Sequence, residues 1–318
     1  VSMKADIKVL YVREIPRSAH EKYVERAREK VIEWGLELPA VRELKRAEKI
    51  LEKLGVVHET PSEEHVEELV FKESEKGGYS LHLSGTQGEL DLKIRDGNPP
   101  EEIIREAEER GYNLLVMGGH KGPLDDYSVG NVTRQVAEYI KIPVWVVKED
   151  VKLKRMLVCT DGSEQANEAI HCAAHIAKAL GVKVVLLSVS HPVKAFEDSS
   201  TAELGEDMKE RLKKKIREFP IPEKKYLDEG KRLFKQIGIE AGTKLVDGDA
   251  VKEILREASE GKYDLIVTGS RGFSGLKRLI MGRVSLNVLE KAEANVLIVR
   301  NCIFYKKWML KKYNGKKV

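Results

Sequence analysis

The 318-residue chain reads as an α/β protein made of two related tandem domains, each a doubly wound parallel sheet. Three observations predict this. The chain repeats itself: 96–119 (DGNPPEEIIREAEERGYNLLVMGG) and 247–270 (DGDAVKEILREASEGKYDLIVTGS) are identical at 12 of 24 ungapped positions, at a constant offset of 151. In the second copy, strand-length apolar runs alternate with helical patterns. Those runs are uniformly apolar, as expected of strands covered on both faces.

The elements of the second copy follow in order. RMLVCT (155–160) is a first strand, broken by Asp161, Gly162 and Ser163. Residues 164–180 are helical, because Ala166, Ile170, Ala173, Ala174, Ala177 and Leu180 fall on one face. Ser163 is placed as its N-cap, and Gly181 closes it. KVVLLSV (183–189) is a second strand. Two charged amphipathic helices follow at 203–217 and 222–237, then a strand near 243–246 and a helix at 249–260. DLIVTG (264–269) is a fourth strand, followed by a glycine-rich loop, a helix from 283 and a fifth strand, NVLIVR (295–300). Ligands of such sheets bind beyond the carboxyl ends of the strands, where the strand order reverses. The Asp161-Gly162-Ser163 turn and the glycine loop both lie at that edge.

The first copy is degenerate. VAEYIKIPVWVVK (136–148) matches VLEKAEANVLIVR (288–300) at offset 152, so its loop is one residue shorter. That loop keeps Gly130-Asn131-Val132-Thr133 but carries Asp125 and Asp126, which would repel phosphate. IKVLYV (7–12) is read as the counterpart of the second strand, since helical patterns at 18–34 and 39–54 follow it. The first strand is then absent, and its place would fall to residues 79–95, the C-terminal tail, a partner chain or nothing. A competing reading makes 7–12 the first strand and leaves no clear second one. The insertion at 56–95 holds an acidic helix-like piece (62–76) and a β-hairpin with a four-to-five-residue loop. The domains are therefore expected at 1–150 and 151–300, with a basic tail at 301–318.

Composition excludes several classes. The tail's six lysines exceed the whole net charge of +4, so the rest of the chain is slightly acidic and lacks the basic face of nucleic-acid binders. No apolar run reaches membrane-spanning length, and no signal-peptide layout is present. Three cysteines without a CxxC argue against a disulfide framework and for a reducing, cytoplasmic setting. Cys159 and Cys172 read as small core residues. His171 and His175 lack a third ligand and read as helix-surface histidines. Asp247 and Asp249 read as turn and cap residues. No GxxxxGK[ST] loop or nucleophile elbow occurs. The tail, with its aromatics and lysines, reads as a disordered or docked extension ahead of a membrane-surface or nucleic-acid contact.

Three motifs together carry a resemblance: Asp161-Gly162-Ser163 after the first strand, Leu186-Leu187-Ser188-Val189 in the second, and Gly269-x2-Gly272-x9-Gly282 after the fourth. They resemble the universal stress protein family, closely over 150–300 and roughly over 90–148. The resemblance implies a Rossmann-like, adenine-nucleotide-binding fold with strand order 3-2-1-4-5. It implies ATP or AMP as ligand, with magnesium as a possible companion. It assigns Thr160 and Asp161 to the adenine or ribose edge and Val189 to the adenine face. Thr268, Gly269, Arg271 and Gly272 would line the sugar and phosphates. Gly282, Arg283, Val284 and Ser285 would face the phosphates. Glycines allow close backbone approach, and a helix N-terminus offers free N–H groups to an anion; Lys277, Arg278 and Arg283 add positive charge. One departure is Arg283, where Ser or Thr is usual; Ser285 keeps a hydroxyl two residues on.

The expected function is a stress-related regulatory protein binding ATP or AMP in its second domain. A homodimer or an intramolecular pseudo-dimer, joined through the fifth strands, is the expected assembly, with a protein partner of unknown identity. A non-nucleotide interaction or scaffold module and a slow ATP hydrolase stay open. No general base is evident for strong catalysis.

Overall fold

A parallel sheet with apolar strands must be covered on both sides, and the second repeat does this with helices that follow nearly every strand. A computed structural model describes residues 6–14, 39–55, 79–84, 89–119, 129–190, 208, 222–271 and 281–314. The chain divides into two compact units, Val1–Glu109 and Arg110–Val318. Helices predicted at 18–34, 62–76 and 203–217 lie outside the described residues.

The second unit holds a seven-stranded sheet. Its strands are β4 (Leu115–Gly118), β5 (Val144–Val147), β6 (Arg155–Cys159), β7 (Lys183–Ser190), β8 (Ala241–Asp247), β9 (Leu265–Gly269) and β10 (Asn295–Val299), in the order β4-β5-β10-β9-β6-β7-β8. The second repeat alone reads β8-β7-β6-β9-β10, the expected 3-2-1-4-5, and its neighbours pair in parallel. The order reverses between β6 and β9, which places the switch point there. β9 and β10 are buried along their whole length.

Helix α4 (Glu164–Leu180) forms as its sequence predicts. Ser163 Oγ accepts from Ala166 N–H at 3.2 Å, and Gly181 ends the helix in the left-handed region. Its alanine face packs into the core with Met156, Val158, Leu186, Leu265 and Val267. Against α4 and β7 lies α5 (Pro222–Ile237), buried through Leu227, Gly230 and Phe234. Asp249 caps α6 (Ala250–Glu260) by accepting from Lys252 N–H at 3.1 Å, and Asp247 pairs with Ser190. The tail is a docked helix, α8 (Ile303–Asn314), packed on α4.

This docking corrects the histidine reading. His171 is buried, with Tyr305 at a ring separation of 5.4 Å, and His175 stacks on Phe304 at 4.1 Å. Cys172, Ile176 and the two imidazole rings extend the apolar surface of α4 outward, and α8 covers it with Cys302, Phe304 and Tyr305 from a part of the sequence too short to signal a partner.

The first repeat is shared between the units. In the first unit, β1 (Ile7–Arg13) pairs in parallel with β3 (Glu89–Asp96), and β2 (Tyr79–Ser84) runs antiparallel on the far side of β3. Arg13 faces Asp96 in register as Ser190 faces Asp247, and the two aspartates stand at the repeat offset. β1 is therefore the second-strand counterpart. β3 holds the third-strand place, so the insertion proper ends before it. The hairpin forms, but on the far edge of β3, and the tail docks as a helix. Among the described residues neither fills the missing first strand. The fourth and fifth strands, β4 and β5, join the second repeat's sheet: β5 runs antiparallel to β10, Trp145 opposite Leu297.

Helix α1 (Pro39–Lys53) packs on β1 through an amphipathic face that buries Ala40 and Leu44. The other face of the first unit is charged. β3 alternates Leu90, Leu92 and Ile94 with Lys93 and Arg95, all five buried. Helix α2 (Pro99–Arg110) answers with Glu102 and Glu106. Glu106 Oε2 lies 2.7 Å from Lys93 Nζ and 2.9 Å from Arg95 Nε, and Arg95 also reaches Glu102 at 3.1 Å and Glu109 at 2.8 Å. The second repeat keeps one such pair, Lys244 with Glu257.

Burial alone would raise the Glu106 carboxyl. Its hydrogen bond to Lys93 and the charges of Lys93, Arg95 and Lys8 together hold it below the ordinary value of 4.5. Glu106→Gln leaves two buried cations short of a partner and should cost about 3 kcal/mol at neutral pH in denaturant melts. A carboxyl held low stabilises above its unfolded pKa and ceases to do so as pH falls through the folded value. The gap between wild type and variant should therefore close on acidification from 4.5 downward. Burial, then the His175 charge, lowers His171 to about 4. The unfolded chain takes up this proton first, so stability should fall from pH 6.5 toward 4, by at most about 3 kcal/mol. His171→Phe should flatten that slope.

Candidate functional site

The candidate site lies at the carboxyl ends of β6, β7 and β9, at the switch point. Asp161 is exposed just past β6, and its Oδ1 accepts from Ser163 N–H at 3.0 Å. Thr160 is buried; its Oγ1 accepts from Gly162 N–H at 3.3 Å, and its carbonyl accepts from Ser188 Oγ at 2.7 Å. That last bond ties the first two strand ends together, and one oxygen of Asp161 is committed to shaping its own turn. Val189, near the end of β7, is half-buried and offers an apolar surface.

Two glycines are required by contact. Gly162 has φ +78°, and a Cβ there would stand 2.4 Å from the Tyr226 ring on α5. The turn is thus roofed by an aromatic ring from 64 positions downstream. Gly269 ends β9, and its Cβ would lie 2.7 Å from the carbonyl group of Gln165. The strand end and the first turn of α4 touch through bare backbone there.

Helix α7 (Arg283–Lys291) begins at Gly282, which has no side chain to cap the first-turn N–H groups. In contrast, α4 and α6 carry side-chain caps. Gly282 N–H itself donates to Ser270 O at 2.8 Å, and Leu286 N–H closes the first helical turn on Gly282 O. Arg283 and Val284 are exposed. Ser285 is buried; its Oγ donates to Gly269 O at 2.6 Å and lies 3.4 Å from Thr268 Oγ1, which also donates to Gly269 O at 3.1 Å. The two hydroxyls thus pin the start of α7 to the end of β9.

The first repeat repeats this device. Helix α3 (Asn131–Tyr139) starts at Gly130, again without a side-chain cap, and Thr133 Oγ1 donates to Gly118 O at 3.0 Å. Arg271 stands close enough to the buried Arg300 that its charge, after burial, helps lower Arg300 to about 10. Two guanidinium groups close together favour an anion nearby. Gly272, Lys277 and Arg278 lie outside the described residues, as do Asp125 and Asp126.

The contacts above join Thr268, Gly269 and Ser285 to one another and tie Thr160 to the end of β7, with Asp161 on the turn that leads into α4. Tyr226 and Ser188 were not found from sequence. Ser188 sits inside the second-strand motif but reads there as strand filler. Tyr226 sits on an ordinary amphipathic helix, with no local signal of the turn it covers. Among the described residues, no group of three or more His, Cys, Asp or Glu side chains could hold a metal ion. None of the described helices is long and apolar enough to cross a membrane.

Comparison with known proteins gives two matches of this chain to the Universal stress protein family, over residues 2–148 and 152–300. Universal stress protein YxiE of Bacillus subtilis (strain 168) is 32% identical over 148 residues, covering 46% of this chain and 98% of that protein. Universal stress protein MJ0531 of Methanocaldococcus jannaschii is 31% identical over 147 residues, covering 46% of this chain and 82% of that protein. A universal stress protein from Archaeoglobus fulgidus DSM 4304 has the same fold, with TM-score 0.55 at 20% identity over 93% of this chain and 87% of that one.

Gly269→Ala forces backbone against backbone, so it should lower the melting temperature by several degrees, for a cost of about 1–3 kcal/mol. Gly118 has open space where its Cβ would go, so Gly118→Ala should leave the melt nearly unchanged.

Proposed function

The chain belongs to the universal stress protein family, and on that premise we propose that its second repeat binds an adenine nucleotide, ATP or AMP. The observation that carries this reading is the uncapped start of α7 at the sheet's switch point, with Arg283 and Val284 exposed. Backbone N–H groups there carry the positive end of the helix dipole and suit phosphate oxygens. Asp161 suits the hydroxyl or amine edge of a nucleoside, and half-buried Val189 suits the flat face of its base. Arg271 adds charge on the phosphate side, where an anion relieves its repulsion with Arg300.

Arg283 is compatible with this reading. Its side chain is exposed, and its carbonyl accepts from Asn287 Nδ2 at 2.8 Å. The amide that a phosphate would use belongs to the backbone. Ser285 acts as a positioning residue, since its hydroxyl already donates to Gly269 O. Magnesium, where it takes part, enters with the triphosphate. The protein acts as a regulatory module in the stress response, in the cytoplasm. The antiparallel pairing of β5 with β10 supports an intramolecular pseudo-dimer.

Calorimetric titration with ATP, ADP and AMP tests the proposal. Wild type should bind at least one of them, and Asp161→Ala should weaken binding by about tenfold, the loss of one charged hydrogen bond. No heat at millimolar nucleotide overturns the reading and leaves an interaction module. Magnesium-dependent release of phosphate from ATP would shift it to a slow hydrolase.

A further inference from the structure

Two cysteines from distant parts of the sequence meet where α8 docks on α4. Cys172 lies on α4 and Cys302 just before α8, and both are buried in one cluster with Ile176 and Tyr305. Lys306 N–H closes the first turn of α8 on Cys302 O at 3.0 Å, which makes Cys302 its N-cap residue. As the N-cap residue, Cys302 sits where the free N–H groups and the positive dipole end of α8 begin, and Cys172 is its thiol neighbour in the buried cluster. Glu168, one turn back on α4, faces the Asn301 and Cys302 amides. The ring pairs His171 with Tyr305 and His175 with Phe304 bring the same stretches of the two helices together.

A sulfur at a helix N-cap, with amide and thiol donors beside it, is stabilised as thiolate, the reactive form of cysteine. The two thiols differ accordingly. The hydrogen bond to Cys302, then burial, pushes the Cys172 thiol up; the same bond pulls Cys302 down against its burial. Cys159 has no such partner set: burial, then the Asp161 charge, raises it to about 12.

We propose that Cys172 and Cys302 form a peroxide-responsive dithiol, with Cys302 the attacking sulfur and Cys172 the resolving one, whose disulfide fastens α8 to α4. Hydrogen peroxide is the two-electron oxidant. The Cys302 thiolate attacks one peroxide oxygen, the O–O bond breaks, and hydroxide leaves a sulfenic acid on Cys302. Cys172 sulfur then attacks the sulfenic sulfur. The S–S bond forms, the S–O bond breaks, and the hydroxyl leaves as water with the Cys172 proton. The two thiols and one peroxide become a disulfide and two waters, and an external dithiol reverses the change. Transient local opening of α8 from α4 admits the oxidant.

The test treats the folded full chain with hydrogen peroxide, blocks remaining thiols and maps peptides by mass. The expected product is one disulfide joining Cys172 to Cys302, in wild type and in Cys159→Ser. Cys172→Ser should instead leave a sulfenic acid on Cys302, trapped by a 1,3-dione. Amide exchange in α8 should slow by about tenfold or more in the oxidised protein, because the link suppresses local opening. The proposal is overturned if both thiols stay alkylatable under peroxide, if the bridge involves Cys159, if it forms only in denaturant, or if α8 exchanges equally fast in both states. The wild-type readouts stand even where a serine variant fails to fold.

Discussion

The two repeats' fifth strands lie side by side in the second unit's sheet, Val296 opposite Val146, Leu297 opposite Trp145 and Ile298 opposite Val144. The antiparallel join is locked by two cations in equivalent places. Lys148, past β5, donates to the Leu289 and Ala292 carbonyls at 2.6 Å each, at the end of α7. Arg300, past β10, donates to the carbonyls of Ala137 at 2.7 Å, Glu138 at 3.1 Å and Ile140 at 2.7 Å, at the end of α3. Each repeat thus satisfies the open carbonyls of the other's last helix, where positive charge also suits the dipole. Asn295 adds a third tie, accepting from Lys148 N–H at 2.7 Å and Glu149 N–H at 3.0 Å.

This join explains how the first repeat can be incomplete. Its fourth and fifth strands are held in the second repeat's sheet because β10 pairs with β5 and α7 receives Lys148, while β4, the strand a first strand would have paired with, lies at the sheet's edge. Its second and third strands form a separate small sheet with a hairpin strand added. That sheet contains few strands, and one of its faces is held by charge pairs in place of apolar contacts. Buried pairs of this kind add little net stability over apolar packing, but removing one member is costly. They match α2 to β3, since Glu102, Glu106 and Glu109 stand at the spacing that reaches Arg95.

Local sequence made some of this legible and hid the rest. The boundaries of α4 were readable because a serine cap and a left-handed glycine are residue-level devices. The glycine at the start of α7 was readable because the repeat shows it twice. β3 was hidden within the inserted stretch, since ELDLKIRD places lysine and arginine on a buried face and reads as a surface strand. His171 was misread for a related reason: the cover for its helix face lies in α8, more than a hundred residues away. Periodicity reports which face is apolar, and it cannot report that a polar face is matched elsewhere.

The candidate site also looks different once its hydroxyls are traced. The family resemblance points to Ser285 as a phosphate ligand and marks Arg283 as the departure. In the fold, Ser285 Oγ is hydrogen-bonded to Gly269 O and Thr133 does the same to Gly118 O in the other repeat. A feature kept in both copies, including the one with a degenerate loop, is explained by helix positioning before ligand contact. What the second copy has beyond this is Asp161 on its turn and Val189 on the neighbouring strand, both supplied by the first and second strands. Among the described residues the first repeat has no first strand to offer an aspartate beside its equally bare helix start at Gly130. Within this chain, an uncapped helix start is therefore a shared scaffold, and the strand ends beside it are what set the second copy apart.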